Sequence, residues 1–225
     1  MPKPAITRSR MSSGAGNTET RRAILDAAER LFAEEGVQAV SNRQIAAAAG
    51  RGDTSVVGYY FESKADLVRE LLRRYNTRVD LLRDKMLDQV GESESLRDWI
   101  ECLVYPYTDI FDADGVPGWH ARLGVQIVAD PTLRDIAVQE TNTATFRRLL
   151  RGLDRCLPEL SPELKRERTR IASHVIVHSC ADLERAMANG LPLPFPSWSE
   201  SAAVIIDAIV GLLTAPVSEP GRRGG

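Results

Sequence analysis

Seven side chains between residues 41 and 64 carry donors suited to gripping phosphate: the hydroxyls of Ser41, Thr54 and Ser55, the phenol of Tyr59, the ammonium of Lys64 and the guanidinium groups of Arg43 and Arg51. Arginine can also address guanine with paired donors. Arg51 reads equally well as a solvated turn residue. Gly58 lies among them, either admitting close approach to a nucleic-acid backbone or standing as tolerated drift, at about 1 kcal/mol relative to alanine inside a helix. A second constellation is His174 and His178, four apart and so on one helical face, with Asp182 a further turn along. A helical metal site uses that spacing; the alternative is a pair of histidines that only hydrogen-bond.

The donors of the first group sit on two short helices joined by a glycine turn. Ser41 and Gln44 form a capping box that satisfies two orphan amides at a helix start. Gln44 to Ala49 is mostly alanine, the best helix former and small enough for a second helix to pack closely across it. Gly50 and Gly52 stop that helix, and Asp53, Thr54 and Ser55 offer the next N-cap. Val56, Val57, Tyr60 and Phe61 fall on one side, leaving Thr54, Ser55, Gly58 and Tyr59 on the other. The pattern is a helix-turn-helix.

With TRRAILDAAERLFAEEG at Thr20 to Gly36 before it and ESKADLVRELL after it, this stretch resembles the N-terminal domain of the TetR family of bacterial repressors over about fifty residues. The sequence departs from the family pattern in a turn from Gly50 to Thr54 about one residue longer, and in Gly58 where many members place tyrosine. The resemblance implies a homodimer on a palindromic double-stranded DNA operator, with Arg43 at the groove edge and Lys64 on phosphate. It implies a small-molecule site in the middle helices, where Trp99, Leu103, Tyr107, Trp119, His120, Leu123, Gln126 and Phe146 fall. Their aromatic character suits a small, largely apolar effector. It also implies dimerisation through the last two helices, a seam at which histidines commonly just hydrogen-bond, so no metal is expected at His174 and His178. Ile209 is expected to face that seam.

Composition limits where a nucleic acid could bind. The formal charge over 225 residues is -2, but residues 1–64 hold nine Lys and Arg against seven Asp and Glu, or +2, leaving -4 for the rest. Any DNA contact must be local, through a few placed cations. Cys102, Cys156 and Cys180 are odd in number, widely spaced and set in apolar helical patterns, which suits reduced thiols. The start lacks an apolar export core, and no stretch approaches the roughly 18 apolar residues of a membrane span. A cytoplasmic protein without membrane partner or cofactor is expected.

Along the chain, residues 1–17 read as a flexible basic arm, 18–62 as the helix-turn-helix domain, 63–214 as the ligand-binding and dimerisation domain, and 215–225 as a disordered tail. Ser63 caps a long helix whose stripe runs through Val68, Leu71, Leu72, Tyr75, Val79, Leu82 and Met86 to about Val90. Further helices are expected from Leu96, with a loop at Asp112 to Gly118; from Trp119 to Val128; from Pro131 to Leu157, with a possible break near Thr141 to Thr143; and over Ser161 to Asn189 and Ser197 to Thr214. The class is all-α, with about nine helices. Two other readings are a helical enzyme and a protein-interaction module. The chain has no G-x-S-x-G, G-x-x-x-x-G-K-[ST] or H-E-x-x-H, and the polar facing of the motif disfavours a protein partner.

Overall fold

The computed structural model describes residues 12–116 and 118–217, and these form ten α-helices and no strand. Of the expected arm, residues 1–11 lie outside the described residues; from Ser12 the chain is already helical, and α1 runs Ser12–Glu35. Residues 218–225 of the expected tail also lie outside them.

Ser41 opens α2 (Asn42–Ala48) through the capping box, its hydroxyl accepting from the Gln44 amide at 3.3 Å while Gln44 Oε1 takes the Ser41 amide at 2.8 Å. Gly50 then adopts φ +68°, a left-handed conformation that any side chain would disfavour, and turns the chain. In α3 (Ser55–Tyr60) the first amide is satisfied by Asp53, whose carboxylate accepts the Ser55 N–H at 2.8 Å and the Ser55 hydroxyl at 2.7 Å. Ser63 caps α4 (Lys64–Val90) at the Asp66 amide. At 1.5 Å per residue this helix is about 40 Å long.

The second half of the chain is α5 (Leu96–Asp114), α6 (His120–Ala129), α7 (Pro131–Thr141), α8 (Ala144–Arg155), α9 (Pro162–Ala188) and α10 (Trp198–Thr214). There is one helix more than the sequence suggested, because the 131–157 segment does break: Thr143 accepts the Phe146 amide at 3.1 Å and starts a new helix. The loop expected from Asp112 begins later, at Gly115, since buried Ile110 and Phe111 hold the last turn of α5 against the core.

Two apolar cores result. The first joins α1, α2, α3 and the start of α4, and is closed by Leu123 and Ile127 of α6 and Leu133 and Ile136 of α7. The second joins Tyr75, Val79 and Leu87 of α4 to α5, α8, α9 and α10. Thus α4 belongs to both cores, and so does α6, through Ala121 on one side and Leu123 on the other.

Two expected facings are corrected. Beyond Val79 the buried stripe of α4 passes through Arg83 and Leu87, while Leu82 and Met86 are only partly buried, because steps of four follow the helix face more closely than the three-residue step to Leu82. Ile209 is 0% exposed within a single chain and packs into the second core, so it does not face a seam with another copy. The outward apolar residues of the last two helices are Ile171 and Val204, on faces that also carry Ala203, Ala208 and Gly211.

Candidate nucleic-acid interface

The inner side of the helix-turn-helix is fixed by Val57 and Phe61, both buried in the first core. This sets the outer side. Arg43 is exposed and carries no hydrogen bond or ion pair among the described residues. Thr54 makes no side-chain capping bond. Tyr59 is 78% exposed, its ring edge-on to Tyr60 at 5.0 Å. A Cβ added at exposed Gly58 would meet nothing within 4 Å, so packing within the chain does not require glycine there.

Three other expected donors are already engaged. The Ser41 hydroxyl donates to Gln44 Oε1 at 2.7 Å, and the Ser55 hydroxyl to Asp53. The bonds from the Ser55 hydroxyl and amide hold the Asp53 carboxyl below its ordinary range, leaving a fixed negative charge at the start of α3. Lys64 Nζ donates to the Gln38 carbonyl at 2.8 Å, tying α4 to the α1–α2 connection; an ammonium has three donors, so two remain. Arg51 is half-buried in the turn, and its Nε has no hydrogen-bond partner among the described residues.

The eight residues expected around a small molecule separate into two groups. Trp99, Leu103, Tyr107 and Phe146 belong to the second core or pack against it. There the Trp99 Nε1 donates to the Ser93 carbonyl at 2.9 Å, and a Cβ at Gly152 would overlap the Trp99 indole, which explains the glycine. The other four lie at α6, toward the N-terminal helices. Leu123 is in the first core, and Trp119 packs against that core beneath the Arg122 guanidinium at 4.4 Å. His120 stacks on Tyr75 with ring centroids 3.3 Å apart, its Nδ1 lies 3.2 Å from Glu29 Oε1, and Gln126 sits beside Gly36. Among the described residues, one surface cleft of about 990 Å³ lies beside Arg21, Arg22, Tyr59 and Arg74, and another of about 540 Å³ beside Val116, Met187, Leu193 and Trp198. None of the eight lines either cleft.

His174 and His178 have ring centroids 6.4 Å apart, and the Asp182 carboxylate is taken by Arg185 at 2.8 Å. Among the described residues no group of three or more His, Cys, Asp and Glu is arranged to hold a metal, and no helix is long and apolar enough to cross a membrane.

Sequence reasoning missed four buried charges; Arg168 of α9 donates to the Leu213 carbonyl at 2.7 Å, and the other three are Glu29, Glu184 and Arg83. Glu29 of α1, 4% exposed, pairs with Arg74 of α4 at 3.4 Å as well as facing His120 of α6. Close by, Arg74 reaches Asp26 at 2.5 Å and Arg78 grips Asp114 with two bonds at 2.8 and 2.7 Å, so α1, α4, α5 and α6 meet in one polar seam. Burial first, and then the negative charges of Glu29 and Asp114, push the Tyr75 phenol well above its ordinary range. Glu184 of α9 caps α6 from a distance, accepting the Ala121 and Arg122 amides at 3.2 and 2.9 Å and the Arg122 Nε at 3.2 Å. The third is Arg83. Each occupies a core position in its helix: Arg83 lies four after Val79 and four before Leu87, and Glu29 follows Ala28 and precedes Phe32 by three. A charge on a periodic apolar stripe was the available signal.

A family model described as bacterial regulatory proteins, tetR family, matches residues 24–71. The HTH-type transcriptional repressor KstR2 of Rhodococcus jostii is 35% identical over 99 residues, covering 44% of this chain and 47% of that protein; the chain thus spans about half the length of the curated relative it matches. Among solved structures, a TetR-family regulator from Rhodococcus sp. aligns with 88% of this chain and 100% of its own at 19% identity and a TM-score of 0.52. The TetR-like regulator LfrR from Mycobacterium smegmatis, in complex with proflavine, aligns with 90% of this chain and 99% of its own at 23% identity and a TM-score of 0.49. The capped α2, the glycine turn and α3 all lie inside the stretch that matches the tetR-family model.

Proposed function

We propose that this chain is a cytoplasmic transcriptional repressor, not an enzyme, which binds a palindromic operator as a homodimer and is released by a small, largely apolar effector. In this reading residues 18–62 contact DNA and 63–214 bind the effector and the second copy. The observation that carries it is the outer face of α2 and α3, where Arg43, Thr54, Gly58 and Tyr59 are exposed on a helix pair locked from behind by Val57 and Phe61. A short helix held from behind by its partner is what a major groove accepts, with neighbouring donors on phosphate. The family match and the relation to KstR2 support it.

A two-fold dimer through α9 and α10 would bury Ile171, Val204 and the small residues beside them. Val204→Asp, rather than a change at Ile209, is therefore the substitution that would place an unpaired charge in the seam. Release is carried by the two helices that belong to both cores: α4, whose first residue Lys64 holds the α1–α2 connection, and α6, whose Leu123 closes the first core. An effector that moves either helix changes the spacing of the two α3 helices. A coupling of roughly 1–3 kcal/mol would loosen operator binding about 5- to 150-fold, and operator would weaken effector binding by the same factor. Sedimentation and gel shifts test the whole reading: a dimer at micromolar concentration with sequence preference and a steep salt dependence is expected. A monomer with no preference among duplexes would overturn it.

A further inference from the structure

Arg83 is 1% exposed, and two of its three nitrogens are held. Nε donates to the Cys102 carbonyl of α5 at 3.1 Å, and Nη1 to the Asp80 carboxylate, one turn back on α4, at 2.8 Å. Nη2 is buried with no hydrogen-bond partner among the described residues. Aromatic rings flank the guanidinium: its Cζ lies 5.3 Å from the centroid of Tyr107 on α5 and 5.5 Å from that of Phe146 on α8. A guanidinium keeps its charge at any physiological pH, so an idle N–H inside an apolar core is a standing penalty. An aliphatic side chain at this point of the stripe would avoid it. Leu103, Tyr107, Phe146 and Leu150 are only partly buried, while Val79, Leu87 and Leu149 nearby are fully so.

We propose that Arg83 is an anion anchor, and that the effector carries a carboxylate head on its apolar body. The carboxylate accepts from Nη2 between the rings of Tyr107 and Phe146, and the apolar body lies along Leu103 and Leu150. Because Nη2 is closed over in this structure, one of the two rings turns aside when the head enters. The proposal rests on the reading of the C-terminal helices as an effector-binding domain, and it makes the effector amphipathic rather than merely apolar.

The test uses the full chain without DNA and three acids of different body, octanoate, dodecanoate and 4-cyclohexylbutanoate, each against its alcohol. Thermal unfolding and calorimetry read binding. At least one acid should raise the unfolding midpoint saturably and bind about tenfold or more tightly than its alcohol, as when a charge-assisted hydrogen bond separates the two. Arg83→Gln should remove that preference, leaving acid and alcohol alike. The proposal is overturned if none of the three acids binds, if acid and alcohol bind equally to the unaltered chain, or if Arg83→Gln keeps the preference. Should Arg83→Gln fail to fold, the comparison on the unaltered chain decides alone. Since no DNA is present, failure here leaves operator binding standing, and failure of operator binding leaves this result standing.

Discussion

The outer face of α2 and α3 and the seam between α1, α4, α5 and α6 are both polar, yet they use their polar groups in opposite ways. In the seam, Asp26, Glu29, Arg74, Arg78 and Asp114 are all paired, and Glu29 is buried to do it. On the outer face, Arg43 and the side chains of Thr54 and Tyr59 have no such partner among the described residues, although Asp53, Ser41 and Gln44 nearby are bonded to their neighbours. Paired charge holds helices together. Unpaired donors next to well-ordered caps are left for something outside the chain.

The comparison is tested most severely by Glu29→Ala. Removing that carboxylate leaves His120 Nδ1 without its partner while Arg74 keeps Asp26, and the expected loss is about 1–3 kcal/mol of unfolding free energy in urea. Arg43→Ala should change stability by no more than about 0.5 kcal/mol, as surface substitutions usually do. Equal losses in the two variants would erase the distinction.

Next in size are the DNA effects. Arg43→Ala should lose roughly 1–3 kcal/mol on an operator and little on scrambled duplex, whereas Lys64→Ala should weaken both alike. Because Lys64 also holds the Gln38 carbonyl, its loss should lower stability by about 0.5–1.5 kcal/mol, measured by urea unfolding. Unchanged operator affinity in both variants would mean that another surface is used.

Gly58→Ala separates two explanations of one residue. No atom lies within 4 Å of the added methyl, so the variant should stabilise α3 by about 0.5–1 kcal/mol. If glycine is there for close approach to the DNA backbone, operator affinity falls while the melting temperature rises; if both stay level or rise, glycine is drift.

The smallest expected effect is a pH dependence in the seam. Burial alone would raise the Asp114 carboxyl, but the hydrogen bonds and charge of Arg78 outweigh it and leave it below its ordinary value. A carboxyl depressed in the folded state stabilises fully above its unfolded value, near 3.9, and that contribution disappears as pH falls through the folded value. Urea midpoints taken from about pH 5 to about pH 2 should therefore fall less steeply for Asp114→Asn than for the unaltered chain.

Much of this was legible in the sequence where a local rule governs a local structure. Ser41 with Gln44 and the glycine turn act within a few residues, and that cap and that turn form. Facing was harder to read. Ile209 and Val204 both lie on an apolar α10, and only packing against α5 and α9 decides which of them turns inward. The middle helices hid their arrangement for the same reason: Trp119 and His120 resemble pocket residues until α6 is found closing the N-terminal core. Arg83 and Glu184 answer to partners 19 and more than 60 residues away, and no window of sequence contains those pairs.

The central claim is that the unpaired face of α2 and α3 reads a DNA sequence as part of a two-fold dimer. Selection of duplexes from a random pool by the purified chain tests it most directly. The account predicts enrichment of an inverted repeat whose half-sites lie about one helical turn apart, some 34–36 Å. A pool that emerges without an enriched motif, or with a single unrepeated half-site, would contradict it.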